Sequence, residues 1–234
     1  MNILIPSNGL GQRFQQHYNQ PKVMIDVKGE PMLLASAKSL GLDNILNRFI
    51  FLLNKDHVSL GERITSEFAN AIVKYVERPT KGAAETALEA IEYIDNDEEL
   101  LIANCDQIMH WSNALCEGIF DHFKINGDAG IITIKSSDPK HSYIDTDTGT
   151  VYEKTVMPSN MALTGLHYWK HGKDFVSSAK TMIEYKALSK GEYYIGPVYN
   201  YFEGEVIHYE ISEKEISFIG TPEDLTLYLN DESR

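Results

Sequence analysis

At 234 residues the chain can bury one large α/β core, or a core with a small appendage. Its formal charge of −13 argues against a broad nucleic-acid footprint, which needs a surplus of Lys and Arg, but a local cation cluster can still draw a small anion into a cleft. No apolar run reaches the roughly 18 residues of a membrane span, so a membrane partner is not expected either.

Met1-Asn2-Ile3 enters a strand directly, without the basic and apolar regions of an export signal. Cys105 and Cys116 read as reduced thiols rather than a disulfide framework, and together these features lead to the expectation of a cytoplasmic protein.

Strands and helices alternate through the first half. Residues 3–6 form a short apolar strand, and 31–40 a helix with Pro31 near its start and Gly41 at its end. Residues 48–53 are strand-like, and 56–70 helical with Asp56 as the expected cap. A strand follows at 71–76. The segment 82–94 is helical, because Ala84, Ala87, Leu88, Ile91 and Ile94 recur at helical spacing. A strand at 100–103 and a helix at 112–123 complete this half. Four strands separated by helices imply right-handed βαβ units and a mostly parallel sheet, with ligands collecting at the carboxyl ends of the strands. The segments 7–13, 77–82 and 104–106 each follow a strand and are expected to converge on one face.

Beyond residue 127 the pattern changes. Segments 129–135, 141–145, 151–154 and 161–169 are strand-like, 172–186 is helical, 205–211 and 215–219 are strand-like, and 222–230 is a closing helix. Asp145-Thr146-Asp147, followed by Thr148-Gly149 between two strand-like runs, reads as a hairpin turn rather than a metal-binding Asp-x-Asp. The chain is expected to be one domain, with a half at 1–127 that binds nucleotide and a half at 128–234 that binds an acceptor.

The opening turn carries the chemistry. Ser7-Asn8-Gly9-Leu10-Gly11-Gln12-Arg13 holds two glycines and an arginine, and Pro21-Lys22 follows. As a dinucleotide fingerprint it fails, because Phe14 takes the third glycine position and no helix is expected close behind. As a Walker A loop it fails because no glycine precedes Lys22 and no Ser or Thr follows it. A glycine-rich backbone can approach phosphate oxygens, Arg13 could grip them in a fork, and Lys22 would act as a point charge. Two cations flanking an open turn would repel each other unless an anion lay between them. Cys105, with no base partner in view, is expected to be a core thiol rather than a nucleophile.

These residues, with Ile25-Asp26-Val27-Lys28-Gly29-Glu30-Pro31-Met32, resemble the signature of the sugar-phosphate nucleotidylyltransferases. Those enzymes join a nucleoside triphosphate to a phosphorylated acceptor and release pyrophosphate. The resemblance implies a Rossmann-like, GT-A-like mixed sheet, mostly parallel and flanked by helices, with a small β layer over the acceptor site. It implies that Ser7, Asn8, Gly9, Leu10, Gly11 and Lys22 bind nucleotide, with Pro79, Gly82 and Ala83 in a base-recognition turn. Asp106, at the end of Asn104-Cys105-Asp106, is implied as the ligand of Mg²⁺. Arg13, Lys22, Asp106 and Lys154 are implied as the catalytic set, and Glu153, Lys154, Gly165, Glu192 and Tyr193 as the acceptor site. The turn at Gly220-Thr221-Pro222 resembles the family's closing segment.

The chain departs from the pattern in two places. Asn8 stands where an alanine is usual, and Phe218 stands where many relatives carry a second metal-binding aspartate. The nearest likeness is to capsule-associated cytidylyltransferases such as CTP:phosphoglutamine cytidylyltransferase, which implies CTP and a role in surface polysaccharide biosynthesis. The implied partners are a nucleoside triphosphate and a phosphorylated small molecule, and self-association as a homo-oligomer is compatible with the sequence. The rival classes are a glycosyltransferase of related fold that uses a nucleotide sugar, and a nucleotide-binding protein whose chemistry has decayed.

Overall fold

The structure is a computed structural model that describes residues 1–9 and 11–231. Its centre is four parallel strands in the spatial order Leu100–Ala103, Asn2–Ser7, Arg48–Asn54 and Ile72–Val76. Alternation explains why they are central. Ile3, Ile5, Phe49, Phe51 and Leu53 face one buried cluster, while Leu4, Ile50 and Leu52 face another. The helices Met32–Ser39, Val58–Glu67 and Asn113–Asn126 cover the first face. Ala83–Leu88, Ile91–Ile94 and Gly172–Glu184 cover the second.

The nine-residue strand Met161–Trp169 runs antiparallel to Leu100–Ala103 and extends the sheet. Ala129–Lys135 pairs with it, and Val206–Glu210 adds parallel to Ala129–Lys135. Tyr143–Ile144 and Val151–Tyr152 form the hairpin read from the sequence, with Gly149 at φ 72° and the Asp147 N–H donating to Asp145 Oδ1 over 3.0 Å. The hairpin hydrogen-bonds to Met161–Trp169, so it continues the main sheet rather than forming a separate β layer. Two small ladders lie apart from it: Asp26–Val27 with Glu30–Pro31, and Gln107–Met109 with Ile216–Phe218.

Three local expectations change. The helix expected over 56–70 spans Val58–Glu67 with His57 at its N-cap, because the Asp56 N–H is held by Asn54 Oδ1 at 3.1 Å and the chain is still turning there. The helix expected over 82–94 breaks between Leu88 and Ile91. The tightening bond from Ala90 N–H to the Ala87 carbonyl at 3.0 Å keeps Ala84, Ala87, Ala90 and Ile94 all on the sheet. A helix does follow the glycine turn, but it is the single turn Gln12–Gln15. Both cysteines are free, and among the described residues no helix is long and apolar enough to cross a membrane.

Candidate active site

The chain order of the parallel strands reverses between Asn2–Ser7 and Leu100–Ala103, because the next two strands add on one side and the fourth on the other. A crevice opens at such a switch point, at the carboxyl ends. The two loops that leave it are the glycine turn and Asn104-Cys105-Asp106.

Within the glycine turn the side chains divide their work. Ser7 Oγ donates to the Leu52 carbonyl at 2.9 Å, which ties adjacent strand ends. The Asn8 amide donates to the Arg78 carbonyl at 3.2 Å and accepts from Asn54 Nδ2 at 3.3 Å. Asn8 therefore braces the ends of three strands, a function an alanine cannot perform. Gly9 is exposed, and Leu10 lies outside the described residues. Gly11 sits at φ 61°, where a Cβ would lie 2.6 Å from Lys22 Cβ, so the Lys22 stem packs directly on its backbone.

Lys22 opens a short 3₁₀ turn, and its ammonium hydrogen-bonds Asp106 Oδ2. The Phe14 ring centroid lies 5.8 Å from that ammonium. Burial opposes charge on Lys22, but Asp106 more than compensates and raises the Lys22 pKa above its ordinary value, with the Arg13 charge acting against it. The counter-ion of Lys22 is thus a carboxylate of the protein itself, and Arg13 is exposed on the one-turn helix. Asp106 is fixed from behind: its carbonyl accepts from Ile219 N–H at 2.9 Å, and a Cβ at Gly220 would lie 2.8 Å from its Oδ2. Burial pushes the Cys105 thiol up to about 11, which keeps it protonated and unsuited to nucleophilic work.

The turn after Ile72–Val76 is held by its neighbours. Glu85 accepts from the Lys81 N–H at 2.6 Å, and Thr80 and Thr86 hydroxyls meet at 2.6 Å. Tyr193 clamps the turn through its backbone, donating to the Lys81 carbonyl at 2.6 Å and accepting from Ala84 N–H at 2.9 Å. Gly82, at φ 126°, permits that approach, since a Cβ there would lie 2.5 Å from the Tyr193 carbonyl oxygen. Gly82→Ala is expected to cost more than about 2 kcal/mol, from strain and overlap together. Chemical denaturation would measure the loss, and unchanged stability would mean that the turn relaxes freely. Pro79 is exposed and Ala83 half-buried beside this clamp.

A second group forms around Glu153 and Lys154. The Glu153 side chain is 4% exposed, accepts a hydrogen bond from Ser142 Oγ and lies 4.0 Å from Lys154. Burial raises its pKa, while Ser142, Lys154 and Lys190 pull against that rise and Glu192 adds to it. Lys154, at φ 51°, donates to the Tyr194 hydroxyl at 2.6 Å and lies 4.6 Å from that ring's centroid. Glu192 is exposed and closes a tight turn with Ser189, whose N–H bonds the Glu192 carbonyl at 2.9 Å. The Tyr193 ring is in the core. Gly165, at φ 89°, accepts from the Asn104 N–H at 3.1 Å and so joins the long strand to the Asp106 loop. A cleft of about 320 Å³ opens beside Glu153, lined also by Val151, Thr155, Leu188 and Asn200.

No family model matches the chain, and no curated protein matches it. Its backbone is similar to that of a nucleoside-diphosphate-sugar pyrophosphorylase from Vibrio cholerae RC9. The TM-score is 0.83 at 20% identity, over 98% of this chain and 100% of that one. This is the fold of the nucleotide-sugar pyrophosphorylases. A UDP-glucose pyrophosphorylase solved with UDP-glucose matches with TM-score 0.77 at 16% identity, over 98% of this chain and 97% of that one. A protein provisionally assigned as a glucose-1-phosphate thymidylyltransferase, from Bacillus anthracis and solved with sucrose, gives 0.75 at 17%, over 97% and 93%.

Within this fold Gly11, Lys22 and Asp106 come together, and Glu153, Lys154 and Glu192 form their own group. Among the described residues no hydrogen bond or ion pair joins Lys154 to the Lys22–Asp106 pair. Among the described residues no group of three or more His, Cys, Asp or Glu side chains is arranged to hold a metal ion. A preformed cage is therefore missing, but one carboxylate suits Mg²⁺, which keeps its waters and takes the rest of its oxygens from substrate phosphates. Sequence reasoning missed Tyr194, Ser142 and the bracing function of Asn8. Tyr194 stands next to the residue that was chosen, and its signal was only the Tyr-Tyr pair.

Proposed function

We propose that the chain is a nucleotidylyltransferase that transfers a nucleoside monophosphate from a nucleoside triphosphate to a phosphorylated small molecule. The observation that carries this reading is the Lys22–Asp106 pair, set against Gly11 at the switch point of the sheet. An acceptor phosphate oxygen attacks the α-phosphorus, the new P–O bond forms in line, the bond to the β-phosphate oxygen breaks, and pyrophosphate leaves. The attacking phosphate is already ionised at neutral pH, so the protein needs to position and to neutralise rather than to abstract a proton.

Lys22 faces the α-phosphate, and Arg13 holds the β and γ groups. Lys154, steadied by Tyr194, draws in the acceptor phosphate against its repulsion from the triphosphate. Asp106 would hold Mg²⁺, which when bound offsets charge on the phosphates. Glu153, Glu192 and Gly165 border the acceptor, while Gly9, Leu10, Pro79, Gly82 and Ala83 lie along the nucleoside. Of the proposed nucleotide residues, Ser7 and Asn8 act mainly by holding strand ends. CTP is the favoured donor and surface polysaccharide assembly the favoured role, both resting on the sequence resemblance.

The test is a panel of four triphosphates against hexose 1-phosphates, phosphorylated polyols and phosphorylated amino-acid amides, read as pyrophosphate release with Mg²⁺. Release that needs one triphosphate and one acceptor class together is the expected result. A protein that turns over nucleotide sugars and releases no pyrophosphate would overturn it.

A further inference from the structure

Gln107 is 1% exposed, and neither its Nε2 nor its Oε1 has a hydrogen-bond partner among the described residues. A buried amide that leaves both of its polar atoms unmatched is destabilising, and proteins rarely keep one without a use for it. Gln107 directly follows Asp106 and opens the short strand Gln107–Met109. Its neighbour Ile108 points the other way, into the small core with Phe14, Ile219 and Leu225.

Three neighbours define what the amide faces. Phe218 is its cross-strand partner, so ring and amide share a face of the ladder, and the His141 ring closes on Phe218 with centroids 4.6 Å apart. Gly165 lies across from it, where a Cβ would come within 2.9 Å of Gln107 Oε1 and 2.8 Å of Asn104 Cγ. The long strand is irregular there, its register shifting between Leu163 and His167. A glycine backbone, two neutral carboxamides and an aromatic wall thus meet one residue away from Asp106.

We infer that Gln107 is a specificity-determining residue that reads hydroxyl groups on the non-phosphate part of the acceptor, a reading that rests on the proposed nucleotidyl transfer. The amide offers one acceptor and two donor hydrogens, and a hydroxyl can both give to Oε1 and take from Nε2. Both amides are neutral, so they suit an uncharged polyol or sugar edge, while Lys154 takes the phosphate. Phe218, standing where the resemblance expects a metal-binding carboxylate, supplies the apolar wall that makes those hydrogen bonds selective. An acceptor without the hydroxyl would leave the amide unmatched, which is how a polar site rejects an analogue that lacks its partner.

The test compares wild type with Gln107→Leu and Gln107→Met, using hexose 1-phosphates and their single-deoxy analogues as probes. Wild type is expected to prefer one hydroxylated probe over its deoxy analogue by about 10²-fold or more in kcat/KM. In both variants that preference collapses to within a few-fold, acceptor KM rises, and the KM for the triphosphate stays put. Melting temperatures establish that at least one variant is folded. Equal acceptor KM and equal discrimination in the three proteins would overturn the assignment and leave Gln107 as a structural amide. Should wild type release no pyrophosphate with any pair, the proposed reaction itself fails. Thermal shifts with the same sugar phosphates then decide Gln107 separately: a shift lost in the variants supports it, and equal shifts or none overturn it.

Discussion

Replacing Lys22 with alanine is expected to lower kcat by about 10²–10³-fold, the scale on which loss of one preorganised positive donor acts on a developing oxyanion. The expectation rests on position. The Lys22 stem lies on the Gly11 backbone, so the ammonium reaches the crevice from a fixed base rather than as a mobile surface cation. Its partner Asp106 holds it at the switch point. Pyrophosphate release under saturating triphosphate measures the effect, and turnover near wild type would sink the assigned role.

Stability should respond as well. The two side chains are only 17% and 24% exposed, so removing the ammonium leaves a mostly buried carboxylate without its counter-charge, at a cost on the order of 3 kcal/mol. The folded protein raises the Lys22 pKa above 10.5. A raised lysine contributes its full stabilisation below the unfolded value and loses it as pH climbs through the folded one. The stability gap between wild type and Lys22→Ala should therefore be constant near neutral pH and shrink above pH 10.5. A gap that widened at high pH would contradict the pairing.

The legible part of this protein was local in origin. Alternating apolar residues in Ile3–Ile5 and Phe49–Leu53 mark strands buried on both faces, and helical spacing in Ala84–Ala87 marks their cover. Once four such strands are parallel, their carboxyl ends must share a side, which is why the glycine turn and Asn104-Cys105-Asp106 could be placed together. Lys22 and Asp106 are 84 residues apart, and no local rule pairs them. Residue type suggested two cations waiting for an anion, whereas tertiary packing supplied a carboxylate to one of them.

What stayed hidden depends on which strand ends become neighbours. Asn8 looks odd beside the pattern it resembles, yet its amide bonds reach Asn54 and Arg78, residues far away in the chain. Tyr193 and Tyr194 are equivalent as letters. The backbone of the first clamps Lys81 and Ala84, while the phenol of the second meets Lys154. Gln107 reads from the sequence only as the last residue of the Asn-x-Asp-Gln strand end, because a polar residue beginning a strand is ordinary. Only its burial beside Phe218 and Gly165 makes it unusual.

Asp106→Asn is expected to remove activity by about 10³-fold or more and to abolish the response to Mg²⁺, because it deletes the carboxylate charge that would hold the metal and that balances Lys22. Asparagine keeps the shape and can still accept a hydrogen bond from Lys22, so Asp106 can remain fixed by Ile219 and closely packed on Gly220 without distortion. The charge is what disappears. Burial is already the largest single influence on Lys22, and without the Asp106 charge to outweigh it the Lys22 pKa is pulled down rather than raised. Lys22→Ala combined with Asp106→Asn should then be no slower than the worse single variant, since the two side chains act as one unit. Rates that multiplied in the double variant would mean that the two act independently. A single Asp106→Asn variant with wild-type turnover and Mg²⁺ titration would reduce Asp106 to a strand-end contact, and the crevice would then need another residue to meet the phosphates.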